Sequence, residues 1–202
     1  MNRVLWDVDT QVDFVRASGK LAVPGAEDVT GAMKLLVGAA RAASIPHIAS
    51  ADDHELTDDE ISDAPDFSTT YPPHCLRGTH GAQKIDETSQ LDPVPLGLTD
   101  VPQHWLQGRE YLLFKKHFDV FTNPNTDRLL ELLDPDEVVL FGVATDVCND
   151  AAIRGLLARN RRVVFVEDAS RGLDEARTAS CTAVWREAGV HFVSAAQAAA
   201  EL

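Results

Sequence analysis

The chain has 202 residues, 45% hydrophobic and 25% charged, which is the balance of an ordinary soluble globular protein with apolar material for one well-filled core. A formal net charge of -14 without any long run of Lys or Arg argues against nucleic acid and anionic membrane surfaces as partners. Three scattered cysteines make neither a disulfide framework nor a zinc ribbon, no apolar run approaches the roughly 18 residues that span a bilayer, and Asp7 comes too early for a signal peptide, so a cytoplasmic protein with reduced thiols is expected.

In chain order, Val4–Val8 reads as a strand, and Ala26–Ala43 places Val29, Met33, Leu36, Val37 and Ala40 at helical spacing. Pro46–Ser50 is a second strand. The following 57 residues, Ala51–Gln107, are dense in Asp, Thr, Pro and His and carry no clear periodicity. Order resumes with a strand at Glu110–Phe114, a short helix around Thr126–Leu133, a strand at Glu137–Val143 and a helix from about Asp146 to Arg159. A strand at Arg162–Val166, a helix at Asp174–Glu187, a strand at Val190–Val193 and an alanine-rich helix from Ala195 complete the pattern. Strands that are continuous apolar runs, alternating with helices, predict an α/β fold whose mostly parallel sheet is covered on both faces. One domain is expected over residues 1–202, with a functional insertion at about 51–107.

Asp9, Lys115 and Cys148 each fall just beyond a predicted strand, and a parallel sheet delivers such residues to one edge. A thiol at a helix N-terminus meets unpaired N–H groups and the positive end of the helix dipole, which favour thiolate, as does a nearby lysine. An aspartate beside it can take the thiol proton and return it to a leaving amine. Asp7 lies on the same side of the extended chain, roughly 7 Å further back, so Asp9 is the better base. Each residue alone has a bland reading: Cys148 as a small buried hydrophobe like Cys75 and Cys181, Lys115 and Lys116 as solvated charges, Asp9 as a turn residue. Their coincidence at strand ends carries the functional signal.

Within the insertion, Asp52-Asp53-His54 and Tyr71-Pro-Pro-His-Cys75 offer carboxylate and imidazole ligands suited to zinc, iron or manganese. By spacing alone, a solvated acidic loop with an incidental histidine is the slightly better reading.

Asp9-Thr-Gln-Val-Asp-Phe14, Lys115-Lys-His-Phe118 and Gly142-Val-Ala-Thr-Asp-Val-Cys148, with Pro72-Pro-His-Cys-Leu-Arg-Gly-Thr79, together resemble the signature of the isochorismatase-like cysteine hydrolases, the nicotinamidase branch in particular. The resemblance spans Val4 to about Gly172 and implies that family's three-layer αβα fold. It implies Cys148 as nucleophile, Asp9 as general base and acid, and Lys115 as the residue that lowers the thiol pKa. It further implies a cis peptide between Val143 and Ala144, with backbone N–H groups of Ala144 and Cys148 facing a forming oxyanion. Asp52, His54 and His74 become ligands of a divalent metal, zinc being expected and iron or manganese the alternatives. For a fourth ligand the chain offers Asp66 first and Glu60 second. Phe14 and Tyr71 would line a slot for a flat ring. The implied reaction is hydrolysis of nicotinamide to nicotinate and ammonia through a cysteine thioester, a step of NAD salvage. The alternative is another small amide or an N-carbamoyl compound. An ether hydrolase would need no thiol, and a non-catalytic scaffold would need no triad. The alanine-rich terminal helix suits packing on its own sheet or in a homo-oligomer.

Overall fold

Strand β1, Arg3–Val8, is covered on both faces, and Val4 through Val8 are at most 1% exposed. Its side chains alternate, Val4, Trp6 and Val8 entering one core and Leu5 the other. The computed structural model describes residues 1–102 and 106–202; residues 103–105, which belong to the expected insertion, lie outside the described residues. After β1 come the single turn α1 (Val12–Val15), α2 (Thr30–Ala42) and β2 (His47–Asp52). Next are β3 (Val94–Leu96), β4 (Glu110–Lys115), α3 (Asn125–Leu133) and β5 (Glu137–Val143). The chain ends with α4 (Asp150–Ala158), β6 (Arg162–Arg171), α5 (Glu175–Glu187), β7 (His191–Val193) and α6 (Ala195–Glu201).

Among the described residues these strands form one sheet in the order β3-β4-β2-β1-β5-β6-β7, every neighbouring pair parallel. Helices α2 and α6 cover one face, where Met33, Leu36, Ala40, Ala195 and Ala198 pack with Leu5, Val139 and Phe141. On the other face Leu129 of α3, Ile153 and Leu156 of α4 and Trp185 of α5 pack with Trp6, Leu140 and Phe165. This is the expected three-layer αβα arrangement. The terminal helix packs within this chain, against α2, and starts with a capping box between Ser194 and Gln197.

Three details differ from the sequence reading. Strand β3 falls inside the segment read as aperiodic; it is a three-residue edge strand containing Pro95, which an edge tolerates because one side of its ladder is unpaired. Strand β6 runs five residues past Val166, through polar Glu167–Arg171, and resumes pairing with β5 after a register shift between Leu140 and Gly142. The segment Thr145–Asn149 is a single π-helical turn, closed by the Asn149 N–H donating to the Ala144 carbonyl at 3.0 Å, and the α-helix begins only at Asp150. Such turns are frequent at functional sites.

The sheet order reverses between β1 and β5. The chain leaves β1 toward β2 and β4, then crosses back to place β5 on the other side of β1. A crevice therefore opens beyond the carboxyl ends of these two strands. Gly142 allows their close approach: its φ of 127° belongs to glycine, and a Cβ there would drive into the Val8 carbonyl.

The insertion is strapped to the end of β1. Ile85 N–H donates to the Thr10 carbonyl at 3.0 Å, Val12 N–H to the Gln83 carbonyl at 2.8 Å, and Lys84 Nζ reaches Asp7 Oδ2 at 2.6 Å and Thr10 Oγ1 at 2.8 Å. Asp7 is fully buried, and Thr10 Oγ1 donates to its other oxygen at 2.7 Å. Burial alone would raise this carboxyl, but the Lys84 ammonium, helped by His47, holds it below its ordinary value. Removing one partner leaves a buried uncompensated charge. Lys84→Met should therefore cost about 3–5 kcal/mol in denaturant-induced unfolding, and an unchanged unfolding midpoint would show that Asp7 needs no lysine.

Candidate active site

Lys115, Asp52, Asp9 and Cys148 lie at or just beyond the ends of four adjacent strands, β4, β2, β1 and β5. Asp52 and Lys115 are direct register partners. Asp9 follows β1 in a left-handed conformation, φ 51°, and Cys148 sits in the π-helical turn after β5. The three residues expected from strand ends converge: Lys115 Nζ is 2.9 Å from Asp9 Oδ2 and 3.7 Å from Cys148 Sγ, and it also pairs with Asp52 Oδ1. All four side chains are buried. The Ser50 hydroxyl donates to Asp9 Oδ1 at 2.7 Å and fixes that carboxylate from the β2 side.

Burial would discharge Lys115, but Asp52 and Asp9 hold its pKa well above the ordinary lysine value. Asp52 is likewise held well below the carboxylate range against its burial, by Lys115 and the imidazoles of His54 and His74. Asp9 is raised by burial, with Lys115 opposing and Asp52 adding to the rise. At Cys148 two influences oppose each other. Lys115 pulls its thiol downward, yet burial comes first and, with Asp9 and Asp52, pushes it well above the ordinary value.

Asp52 also faces a second cluster. Its Oδ2 lies 3.7 Å from His54 Nε2 and 3.6 Å from His74 Nε2, and with Glu60 these residues place one donor atom each within 4.8 Å of one another. His74 Nδ1 donates to the Pro72 carbonyl at 2.7 Å, which leaves Nε2 to face the cluster. The expected Asp52, His54 and His74 are thus together. Asp66 is not: it is exposed, and its Oδ1 accepts from the N–H groups of Ser68, Thr69 and Thr70 at 2.8–2.9 Å, so its carboxylate caps its own turn. Glu60 takes the fourth position. It is 4% exposed, with Oε2 lacking a hydrogen-bond partner among the described residues, and burial and then Asp52 raise its carboxyl.

The motif Asp9–Phe14 explains itself in this geometry. Gln11 clamps the backbone of Asp52, its Oε1 accepting from Asp52 N–H and its Nε2 donating to the Asp52 carbonyl, both at 2.8 Å. Asp13 Oδ2 accepts from Cys75 N–H at 2.8 Å and so fixes the residue after His74. Phe14 packs on the His74 ring, centroids 5.2 Å apart. Phe14, Tyr71 and Cys148 line a pocket together with Asp52, Glu60 and His74 of the second cluster. Phe118, Val147 and Leu173 complete an apolar wall that the sequence reading did not include. Val143 and Ala144 also line it, and the peptide joining them is cis, as expected.

Comparison with known proteins places this chain in a family. Residues 101–197 match the model of the isochorismatase domain. The nicotinamidase/pyrazinamidase of Mycobacterium tuberculosis is 31% identical over 199 residues, covering 95% of this chain and 98% of that protein. Among solved structures, N-carbamoylsarcosine amidase from Thermoplasma acidophilum superposes with a TM-score of 0.74 at 26% identity, covering 96% of this chain and 97% of its own. Pyrazinamidase of Pyrococcus horikoshii in complex with zinc gives a TM-score of 0.75 at 19% identity, covering 96% and 99%, a likeness that speaks for the fold. A relative 31% identical along nearly the whole of both chains, together with the isochorismatase-domain match, means that this chain belongs to the isochorismatase-like cysteine hydrolases, on their nicotinamidase branch.

Proposed function

We propose that the protein is a nicotinamidase-like amidohydrolase that converts nicotinamide to nicotinate and ammonia through a cysteine thioester. The observation that carries this reading is the convergence of Asp9 and Lys115 on Cys148, whose side chain lines the pocket. Asp9 takes the thiol proton, and the thiolate of Cys148 attacks the carboxamide carbon. Backbone N–H groups of Ala144 and Cys148 receive the developing oxyanion. As the C–N bond breaks, Asp9 gives its proton to the leaving nitrogen and ammonia departs. Asp9 then takes a proton from water, the resulting hydroxide adds to the thioester carbon, the C–S bond breaks, and the proton returns to sulfur. Throughout, Lys115 holds Asp9 in place and balances the negative charge that moves between carboxylate and sulfur.

Asp52, His54, Glu60 and His74 fit a divalent cation. Four buried donors converge, and His54 Nε2 and Glu60 Oε2 have no hydrogen-bond partner among the described residues, a costly state for polar atoms with no further role. When bound, such an ion supplies a Lewis acid for the lone pair of a ring nitrogen. Zinc is the favoured ion, since the Pyrococcus relative was crystallised with it, and iron and manganese suit the same donors. Phe14 and Tyr71 provide faces for a flat ring.

A second reading, hydrolysis of an N-carbamoyl compound, draws on the likeness to N-carbamoylsarcosine amidase. The pocket disfavours it: none of the described lining residues is an arginine or lysine that would take a substrate carboxylate. Ammonia release from nicotinamide and from N-carbamoylsarcosine separates the two, and no turnover of nicotinamide with zinc, iron or manganese supplied removes the first.

Cys148→Ala should lower turnover by roughly 10,000-fold or more, and Asp9→Asn by roughly 100- to 10,000-fold, in a steady-state ammonia assay. Because burial raises Asp9, the acidic limb of kcat/KM should lie above the roughly 3.9 of an unperturbed aspartate. The rate falls as pH drops through it because protonated Asp9 cannot accept the thiol proton; a limb at or below that value contradicts the assignment. Stripping the metal with a chelator should reduce kcat/KM for nicotinamide at least about tenfold, worth ~1.4 kcal/mol, and affect benzamide, which lacks a ring nitrogen, much less. Equal losses for both amides would mean that the cluster does not hold the ring.

A further inference from the structure

The two histidines of the buried cluster are oriented by different groups. His74 rests on a neutral acceptor, the Pro72 carbonyl. His54 rests on a charge: its Nδ1 lies 3.3 Å from Asp58 Oδ2 while its Nε2 faces Asp52. That same carboxylate oxygen accepts from Glu55 N–H at 2.8 Å and from Lys116 Nζ at 2.8 Å. Asp58 is further fixed because its own N–H donates to the Glu55 carbonyl at 3.0 Å and its carbonyl accepts from Ile61 N–H at 2.9 Å. Lys116 follows Lys115 directly, and in extended chain consecutive side chains point to opposite sides. One lysine serves Asp9, Asp52 and Cys148; the next reaches Asp58 behind His54.

We propose that Asp58, clamped by Lys116, is a positioning residue for the metal cluster. By accepting the Nδ1 proton it fixes the His54 tautomer that presents an unprotonated Nε2 to Asp52, Glu60 and His74, and its charge makes that nitrogen a stronger donor. The sequence alone made Lys116 a solvated charge; its contact with Asp58 gives it a place in the site. A surface ion pair would not account for a third donor on the same oxygen, since that donor, His54, is itself fully buried. This inference rests on the reading of the cluster as a metal site.

The test is zinc affinity, measured on the full-length apo protein by competition with a chromogenic chelator, for the wild type and for Asp58→Ala, Asp58→Asn and Lys116→Met. Asp58→Ala should bind zinc about 10- to 100-fold more weakly. Asp58→Asn, which keeps a neutral acceptor, and Lys116→Met, which loosens the carboxylate, should fall between it and the wild type. The apo proteins should melt within a few degrees of one another, while the zinc-induced rise in Tm shrinks in the same order as affinity. Zinc binding within twofold of wild type in both Asp58 variants overturns the proposal; if Asp58→Ala does not fold, Asp58→Asn decides alone. A wild type that binds no zinc overturns the metal reading and this proposal together, an outcome distinguishable from loss confined to the variants.

Discussion

One buried ammonium organises this molecule's working end. Lys115 Nζ holds Asp9 and Asp52 on one side and touches the sulfur of Cys148 on the other, with no exposure of its side chain. Two carboxylates brought together out of water repel each other and are each penalised by burial, so neither would stay ionised without a cation between them. The ammonium in turn would lose its proton without them. The interaction is mutual, and it fixes three strand ends in one arrangement. It also bears on the Cys148 thiol, which burial, with Asp9 and Asp52, pushes upward against the pull of the one ammonium.

The topology makes this meeting inexpensive in chain entropy. Lys115, Asp52, Asp9 and Cys148 arise from adjacent parallel strands, so the sheet's own hydrogen bonds deliver them to one edge without long ordered loops. Only His54, Glu60 and His74 come from beyond the strand ends, in the insertion, and that segment is bound back to the sheet. His54 bridges to Leu76, Ile61 to Tyr71, and Gln11 to Lys84. The Ile61–Tyr71 bridge brings Glu60 alongside the aromatic wall, and Tyr71 N–H donates to the Glu60 carbonyl at 2.8 Å. A loop region anchored at three points can hold ligands as a strand end does.

What could be read from residue order follows the same division. Asp9, Lys115 and Cys148 were legible because periodic apolar runs mark where strands stop, and the position past a strand end carries a direction in space. Asp66 and Glu60 could not be separated that way, since both lie in aperiodic chain and the choice turns on local donors. Three consecutive N–H groups saturate Asp66, whereas the Ile61–Tyr71 pairing turns Glu60 inward. Strand β3 escaped notice because three residues with a central proline leave no period to detect. The Asp7–Lys84 pair joins residues 77 apart in sequence, and nothing local in either announces the other. The downward pull of Lys115 on the thiol was legible; the larger upward push was not, because burial is a property of the folded whole.

Asp52 then connects the two halves of the site. Its Oδ1 pairs with Lys115 and its Oδ2 faces the imidazoles of His54 and His74. If Asp9, Asp52 and Glu60 are all ionised, three carboxylates stand against one ammonium, an excess of two negative charges in a region water scarcely enters. A divalent cation held among Asp52, His54, Glu60 and His74 would neutralise that excess. Asp52 is thus the carboxylate shared by the histidine cluster and the Lys115–Asp9–Cys148 group, and Gln11, which grips the backbone of that residue from both sides, fixes its geometry.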